Sequence, residues 1–428
     1  MDVRPFKGWR YRPGPHGDVG AFIAPPYDIL TAQDKQELLG RSENNIVAVD
    51  LPHVPPKEVG PDEAYKAAAA RLEEWKSSGV LFQDTHPVMY AYEQAFTFAG
   101  KHYARQAVLC GVRASEFGRD VVPHEHTFAG PKADRLRLIE CTRMQLSPIF
   151  GFYRDPEKRV SAILSVVTAR PPDAHGELRG VTERLWVMYG RVVGEIASVL
   201  RGEPVFIADG HHRCTSGMNY RDALRARGAI DDDHEANFIL FALVAGDDPG
   251  LLILPTHRIM YGMKKEFSIE KLMAKVTEFS WQRCSLDGAD LVHPDAFLRR
   301  YGKGAMALMG AAPAEVWIAR LKDPSAMTKA AGDQCEPWRK LDVAILHKLI
   351  IDKAIEPWRT KDLFIEYTPD GRAVLASCQS GRAQLGICLQ ATPLEAVETI
   401  ARAGATMPHK STYFYPKLAT GMVLKPLE

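Results

Sequence analysis

The stretch Pro204-Val205-Phe206-Ile207-Ala208-Asp209-Gly210-His211-His212-Arg213 constrains the fold more than any other part of the chain. Its apolar run has the length of a buried strand. Gly210 permits a tight turn and close backbone approach. The residues after it, from Cys214 through Gly228, have a helical pattern. A strand that runs through a glycine turn into a helix requires a mixed α and β architecture, and the segments around it agree. Residues 62–78 form an amphipathic helix stopped by Gly79, and residues 88–98 and 103–113 form a hairpin around a loop at 99–102. A helix is expected from about 133 to 146, strands at 147–153 and 182–190, a helix at 191–202, and two apolar strands within 236–260. Strands and helices do not alternate as in a doubly wound sheet, so the expected class is α+β.

At 428 residues the chain is long enough for about two or three domains. The reading divides it into an N-terminal α+β segment (1–100), a site-bearing core (101–262) and a C-terminal α+β accessory region (263–428). In the last region residues 341–355 read as an apolar helix. Lys plus Arg number 54 against 53 Asp plus Glu, so the net charge is +1. Near-neutrality argues against a broad nucleic-acid surface. No apolar run has the roughly 18 residues that span a bilayer, and the N-terminus lacks a signal-type apolar core. A cytoplasmic protein with no membrane partner is expected. The seven cysteines form no CxxC pair, so neither a disulfide framework nor a zinc knuckle is indicated.

Chemistry concentrates in a few polar segments. After Gly210 the backbone amides open a helix N-terminus, which favours anions. His211, His212, Arg213, Cys214 and Thr215 follow within reach of a phosphate, and Arg213 can fork two hydrogen bonds onto one. Asp209 at the strand end can orient a histidine or hold Mg²⁺. The plain alternative is an ordinary strand-turn-helix with a polar loop. In the segment Pro123-His124-Glu125-His126-Thr127 the histidines are two apart, unlike the HExxH zinc helix. Glu125 reads as a general base or a Mg²⁺ ligand, or else as a solvated carboxylate. Lys132, Asp134 and Arg135 lie just beyond it, as substrate-binding residues or as the polar face of a helix. Thr256, His257 and Arg258 repeat a hydroxyl, an imidazole and a guanidinium at a strand end. Pro25-Pro26-Tyr27-Asp28 reads first as a rigid structural turn. The tail Lys410-Ser411-Thr412 lacks the spacing of a P-loop, and the aromatic run after it reads as packing into a groove.

Taken in order, Pro25 to Asp28, His124 to Thr127 with Asp134-Arg135, Ser147 to Phe150, Ile207 to Arg213, Leu254 to Arg258 and Lys410 to Lys417 resemble a large prokaryotic family known only as a conserved domain of unknown function. The resemblance covers nearly the whole chain. That family commonly places an aromatic and an acidic residue after the arginine, where this chain has Cys214 and Thr215, and proline where this chain has His409. Gly210 to Arg213 is also similar to the G-x-x-R phosphate turn of the ParB and sulfiredoxin-like superfamily, over about 150 residues. That second resemblance implies a phosphate-binding core, a nucleotide (ATP or ADP) with Mg²⁺, and, as in the free serine kinases, a glutamate upstream of the turn as general base. Glu125 would take that role, with His124 and His211 as catalytic companions and an insertion between Glu125 and Gly210. Sulfiredoxin chemistry is not expected, because His211 stands where that enzyme carries its cysteine.

The leading expectation is a phosphotransferase acting on a small hydroxylated metabolite such as serine. A nucleotide-binding switch of ParB type and a metal-dependent hydrolase using His124, His126, His211 and His212 are the alternatives. A homodimer is among the expected states.

Overall fold

The computed structural model describes residues 1–285, 290–313 and 315–428. The chain divides into two compact units. The first comprises Met1–Leu252 together with Pro416–Glu428, and the second Ile253–Tyr415. The last thirteen residues therefore belong with the beginning of the chain.

The first unit is built on a nine-stranded mixed sheet. Its strands are β1 (Val3–Arg4), β2 (Met89–Phe98), β3 (Lys101–Arg113), β4 (Val121–Val122), β5 (Ile149–Tyr153), β6 (Ala174–Leu178), β7 (Val181–Met188), β8 (Val205–Asp209) and β9 (Phe238–Ala245). The order is β4-β8-β5-β9-β3-β2-β7-β6, with β1 on β3. The β8–β4 and β9–β5 pairs are parallel; the other pairs of the sheet are antiparallel. The β2–β3 hairpin closes more tightly than the sequence pattern implied. Phe98 pairs with Lys101, and Ala99 and Gly100 both take positive φ, as a two-residue hairpin turn of the I′ kind requires. Six helices of this unit are α1 (Ala32–Arg41), α2 (Asp62–Ser77), α3 (Ala129–Thr142), α4 (Arg159–Thr168), α5 (Arg191–Leu200) and α6 (His211–Ala226). One core cluster joins the sheet to α4, α5 and the start of α6, through residues such as Val108, Ile149, Phe241, Leu164, Ile196 and Cys214.

Two boundaries differ from the sequence expectation. Helix α3 ends at Thr142, where Arg143 turns left-handed. Helix α6 begins at His211 rather than at Cys214, so both histidines occupy its first turn.

The second unit carries a six-stranded antiparallel sheet of β10 (His257–Tyr261), β11 (Phe279–Ser285), β12 (Met306–Gly310), β13 (Glu315–Leu321), β14 (Phe364–Thr368) and β15 (Leu385–Cys388), in the order β11-β13-β12-β15-β10-β14. Helices α7 (Gly371–Gln379) and α8 (Leu394–Arg402) belong to it. The apolar segment 341–355 is not one α-helix. A single α-turn at Asp342–Ile345 passes into a π-helical stretch at Leu346–Ala354. Both halves of the chain mix helix with sheet, and the fold class is α+β. Among the described residues no helix is long and apolar enough to cross a membrane.

Candidate functional site

The end of β8 is shaped for a turn. Pairing with β5 shifts register between Ile207 and Asp209, a bulge that re-aims the strand's last side chain. Gly210 follows with φ of 93°, and a Cβ there would lie 3.0 Å from Arg213 Nη2 and 3.2 Å from Ile149 Cδ1. Gly210 is also the N-cap of α6 and has no side chain to cap the helix. The first-turn amides, which have no intrahelical acceptor, therefore form an end with positive character.

Three sequence segments converge on this turn. His124 N–H donates to His211 Nε2 at 3.3 Å, and the two rings meet edge to face at 4.7 Å. Phe128 N–H donates to His212 Nε2 at 3.0 Å, and those rings stack at 5.9 Å. The loop carrying Glu125 is thus seated on the first two residues of α6. Glu125 is half-buried, His126 exposed and His124 buried. Arg213 reaches the third segment: its Nη1 donates to Ser147 Oγ at 3.0 Å and to Pro148 O at 2.7 Å. Its Nη2 donates to Asp209 Oδ2 at 2.9 Å.

Sequence reasoning missed Lys417. Its ammonium is ion-paired with Asp209 Oδ1, so each carboxylate oxygen of Asp209 holds one cation. Burial alone would raise the Asp209 pKa, but Lys417 and Arg213 outweigh it and hold the carboxyl well below the usual range. A buried polar network fixes the backbone that delivers Lys417. Gln94 Nε2 donates to Lys417 O at 3.0 Å, and Arg105 Nη2 donates to Pro416 O at 2.6 Å. Ala419 N–H donates to Tyr92 Oη at 3.2 Å. Tyr92 and Gln94 both donate to Glu183, whose pKa burial raises to about 7.

Burial explains the protonation states of His124 and His211. It lowers the His124 pKa to about 4 and that of His211 well below the ordinary value. Both rings are therefore neutral near pH 7. Cys214 lies in the core with its thiol pushed up to about 12 by burial, and only its N–H, bonded to Gly210 O at 2.9 Å, belongs to the turn. Thr215 Oγ1 donates to His211 O at 2.9 Å, back into its own helix.

Asp134 and Arg135 form a buried cage on α3. Arg135 Nε donates to Asp134 Oδ2 at 2.8 Å, and Nη1 donates to Asp50 O at 2.7 Å and Oδ1 at 3.3 Å. The guanidinium lies 3.8 Å over the Tyr27 ring, so the Pro25-Pro26 turn supplies a platform for a cation. Tyr65 donates to Asp134 Oδ1 at 2.7 Å, and His53 Nε2 lies 2.9 Å from the same oxygen. Arg135, Asp50, Ser147 and Arg213 line one cavity of ≈ 30 Å³, which has room for about two waters and no more. Lys132, also on α3, is half-buried, and its carbonyl accepts from Ser216 Oγ at 2.9 Å. Thr256, His257 and Arg258 belong to the second unit, where all three are buried.

Asp209 does not fit the Mg²⁺ role, since both its oxygens already hold cations that would repel a metal. Glu125 is the other carboxylate considered for that role. Among the described residues, no group of three or more His, Cys, Asp or Glu side chains is placed to hold one metal ion.

Solved structures with similar shape include a conserved hypothetical protein from Pyrococcus furiosus, at 12% identity and TM-score 0.34, covering 74% of this chain and 95% of that one. Free serine kinase in complex with AMP matches at 13% identity and TM-score 0.34, covering 74% and 92%. SbnI with a C-terminal truncation, from Staphylococcus aureus, matches at 13% identity and TM-score 0.35, covering 74% and 87%. No curated protein matches the chain. The model of one family matches residues 3–344, which include the glycine turn, Glu125 and the cage around Arg135. The chain belongs to that family, described as "Protein of unknown function (DUF1015)".

Proposed function

We propose that the first unit binds a nucleotide through its phosphates at the Gly210 turn and transfers a phosphoryl group to a small hydroxylated metabolite such as free serine. The observation that carries this reading is the start of α6: a sixteen-residue helix entered through a bulged strand and a glycine, with no side-chain cap on its first amides. Such an end is suited to an anion. Lys417 adds an ammonium beside it, while Arg213 ties the turn to Ser147 and Pro148. The proposed general base is Glu125, half-buried on the loop that α6 carries. In the transfer the acceptor oxygen forms a bond to the terminal phosphorus of ATP or ADP. The bond from that phosphorus to the bridging oxygen breaks, the shortened nucleotide leaves, and the hydroxyl proton passes to the Glu125 carboxylate. Phosphoryl transfer depends chiefly on positioning and charge stabilisation, which one base and several cations supply.

A second reading, a nucleotide-driven switch, has one observation in its favour. Lys417 and Arg213 are already paired with Asp209, so an arriving phosphate would compete with that carboxylate and rearrange the pairs.

Thermal-shift measurement with ATP, ADP, CTP and GTP in the presence of Mg²⁺ tests phosphate binding. A ligand at a hundred times its Kd adds about 2.7 kcal/mol to stability. Transfer is tested by incubating the full chain with the stabilising nucleotide and L-serine and assaying phosphoserine. Stabilisation with nucleotide hydrolysis that no metabolite alters would favour the switch. No shift with any nucleotide at millimolar concentration would overturn both.

A further inference from the structure

The second unit contains a buried cation with which no carboxylate of the described residues is ion-paired. Arg258 on β10 is wholly buried. Its Nη1 donates to Thr256 O, and its Nη2 donates to Lys410 O at 3.0 Å and faces His347 Nε2 at 3.4 Å. The guanidinium carbon lies 5.3 Å from the centre of the Tyr367 ring. Among the described residues no Asp or Glu is ion-paired with Arg258, and Tyr367 is the group that favours its charged form; burial lowers its pKa to about 10. A buried guanidinium is ordinarily paired with a carboxylate or phosphate. Among the described residues Nε–H finds no acceptor here, and the adjacent Thr256 Oγ1 and His257 Nε2 also find no partner.

The neighbouring imidazole is neutral near pH 7, and the carboxylates Asp295 and Asp370 act on the adjacent His257 without pairing with Arg258. Burial holds the His347 pKa down to about 3, and Arg258, His409 and Lys348 push it the same way. Asp352 is the carboxylate that acts on Tyr367, and it is paired with Lys348 at 4.0 Å. The backbone is unusual at both segments that approach Arg258. His347 lies on the nine-residue π-helical stretch, a conformation that is rare and recurs at functional sites. Lys410 is left-handed, with φ of 56°, a strained state for a residue with a side chain. The cluster extends from buried Arg258 to exposed His409, whose ring meets Tyr367 edge to face at 5.7 Å.

We propose that Arg258, His347, His409 and Lys410 form an oxyanion site in the second unit, which receives the phosphate group of a small ligand. A buried guanidinium without a paired carboxylate, with Lys410 and two imidazoles close by, suits a phosphate anion. This proposal does not depend on the function proposed for the Gly210 turn.

Titration calorimetry of the full chain with inorganic phosphate tests the proposal, with glycerol phosphate in a parallel arm to separate free phosphate from a phosphate monoester. The variant His409→Ala/Lys410→Gln alters side chains that are not deeply buried, and circular dichroism verifies its fold. Phosphate affinity is expected to fall about tenfold in that variant, as loss of charge-assisted hydrogen bonds implies, and to be unchanged in Lys340→Ala, which removes an exposed cation of the same unit. Equal affinity in the double variant, an equal loss in Lys340→Ala, or no binding at millimolar phosphate would each overturn it. Failure of nucleotide binding at the Gly210 turn would leave this isotherm intact, so the two proposals fail separately.

Discussion

Lys417 closes an ion pair with Asp209 that joins the C-terminal segment to the last residue of β8. Arg213 holds the other oxygen of the same carboxylate at 2.9 Å. The turn after β8 is therefore anchored by two cations from distant parts of the sequence, and both are mostly buried. Lys417 comes from the segment that returns to the first unit after Tyr415, so completing the turn requires the end of the chain.

Replacing Lys417 by Met should cost about 3 kcal/mol at pH 7, because it leaves one oxygen of a buried carboxylate without its cation. The folded pKa of Asp209 lies below its ordinary value of 3.8. Its contribution is therefore full above that value and is lost as pH falls towards the folded pKa. The difference between the wild type and Lys417→Met should shrink below pH 3.8. Urea unfolding at pH 7 and pH 3 checks this, and an equal difference at both would remove the ion pair from the explanation.

The turn was legible because local rules agree there. Val205 to Ala208 is a buried-type run, Gly210 tolerates positive φ, and a helical pattern follows. The contact of the Glu125 loop with His211 and His212 was not legible, since it joins segments distant in sequence through backbone donors that every residue has. Lys417 was hidden for a related reason. It stands in an aromatic tail that reads as packing, and only the fold brings it to Asp209. The π-helical stretch at 346–354 could not be separated from an α-helix, because both bury an apolar stripe of nearly the same residues. Helix α4 and strand β6 lie in a region where the sequence pattern assigned nothing.

Acid should weaken the protein through His124. Its folded pKa of about 4 lies below the ordinary 6.5, so the unfolded chain takes up the proton first. Stability is full above pH 6.5 and falls as pH drops towards 4, by about 3 kcal/mol at 1.36 kcal/mol per unit. His211 acts in the same direction. Unfolding free energies at pH 7, 6 and 5 should decline in the wild type and decline less in His124→Gln. A flat profile in the wild type would contradict neutral burial of the pair.

The cysteines should divide by reactivity. Cys110, Cys214, Cys378 and Cys388 are buried, and burial raises their thiol pKa values. Since the thiolate is the reacting form, a thiol reagent should label at most three of the seven in the native protein, namely Cys141, Cys284 and Cys335, and all seven in urea. Rapid native labelling of Cys214, located by peptide mapping, would show that the start of α6 opens to solvent.

Arg135→Met should destabilise the first unit by about 3–5 kcal/mol, since it leaves Asp50 and Asp134 buried without their cation. The Asp50 pKa is already raised by burial, against the pull of Arg135 and Arg213, and would rise further in the variant. A carboxyl with a raised folded pKa contributes stability at low pH and loses it as pH rises through that value. The cost relative to the wild type should therefore be smaller at pH 4.5 than at pH 7, as paired urea titrations would show. A larger cost at pH 4.5 would contradict the cage.

Glu125→Gln separates binding from chemistry in the proposed phosphotransferase. The amide keeps the size and hydrogen-bonding reach of the carboxylate but cannot accept the hydroxyl proton. The loop's tie to His211 runs through the His124 backbone N–H, so the substitution leaves that tie in place. Turnover should fall by about 10²–10⁴, the range for loss of a general base, while the nucleotide's thermal shift stays at the wild-type value. Activity within a few-fold of the wild type would exclude Glu125 as the base. Loss of the thermal shift together with turnover would instead make Glu125 part of the nucleotide site.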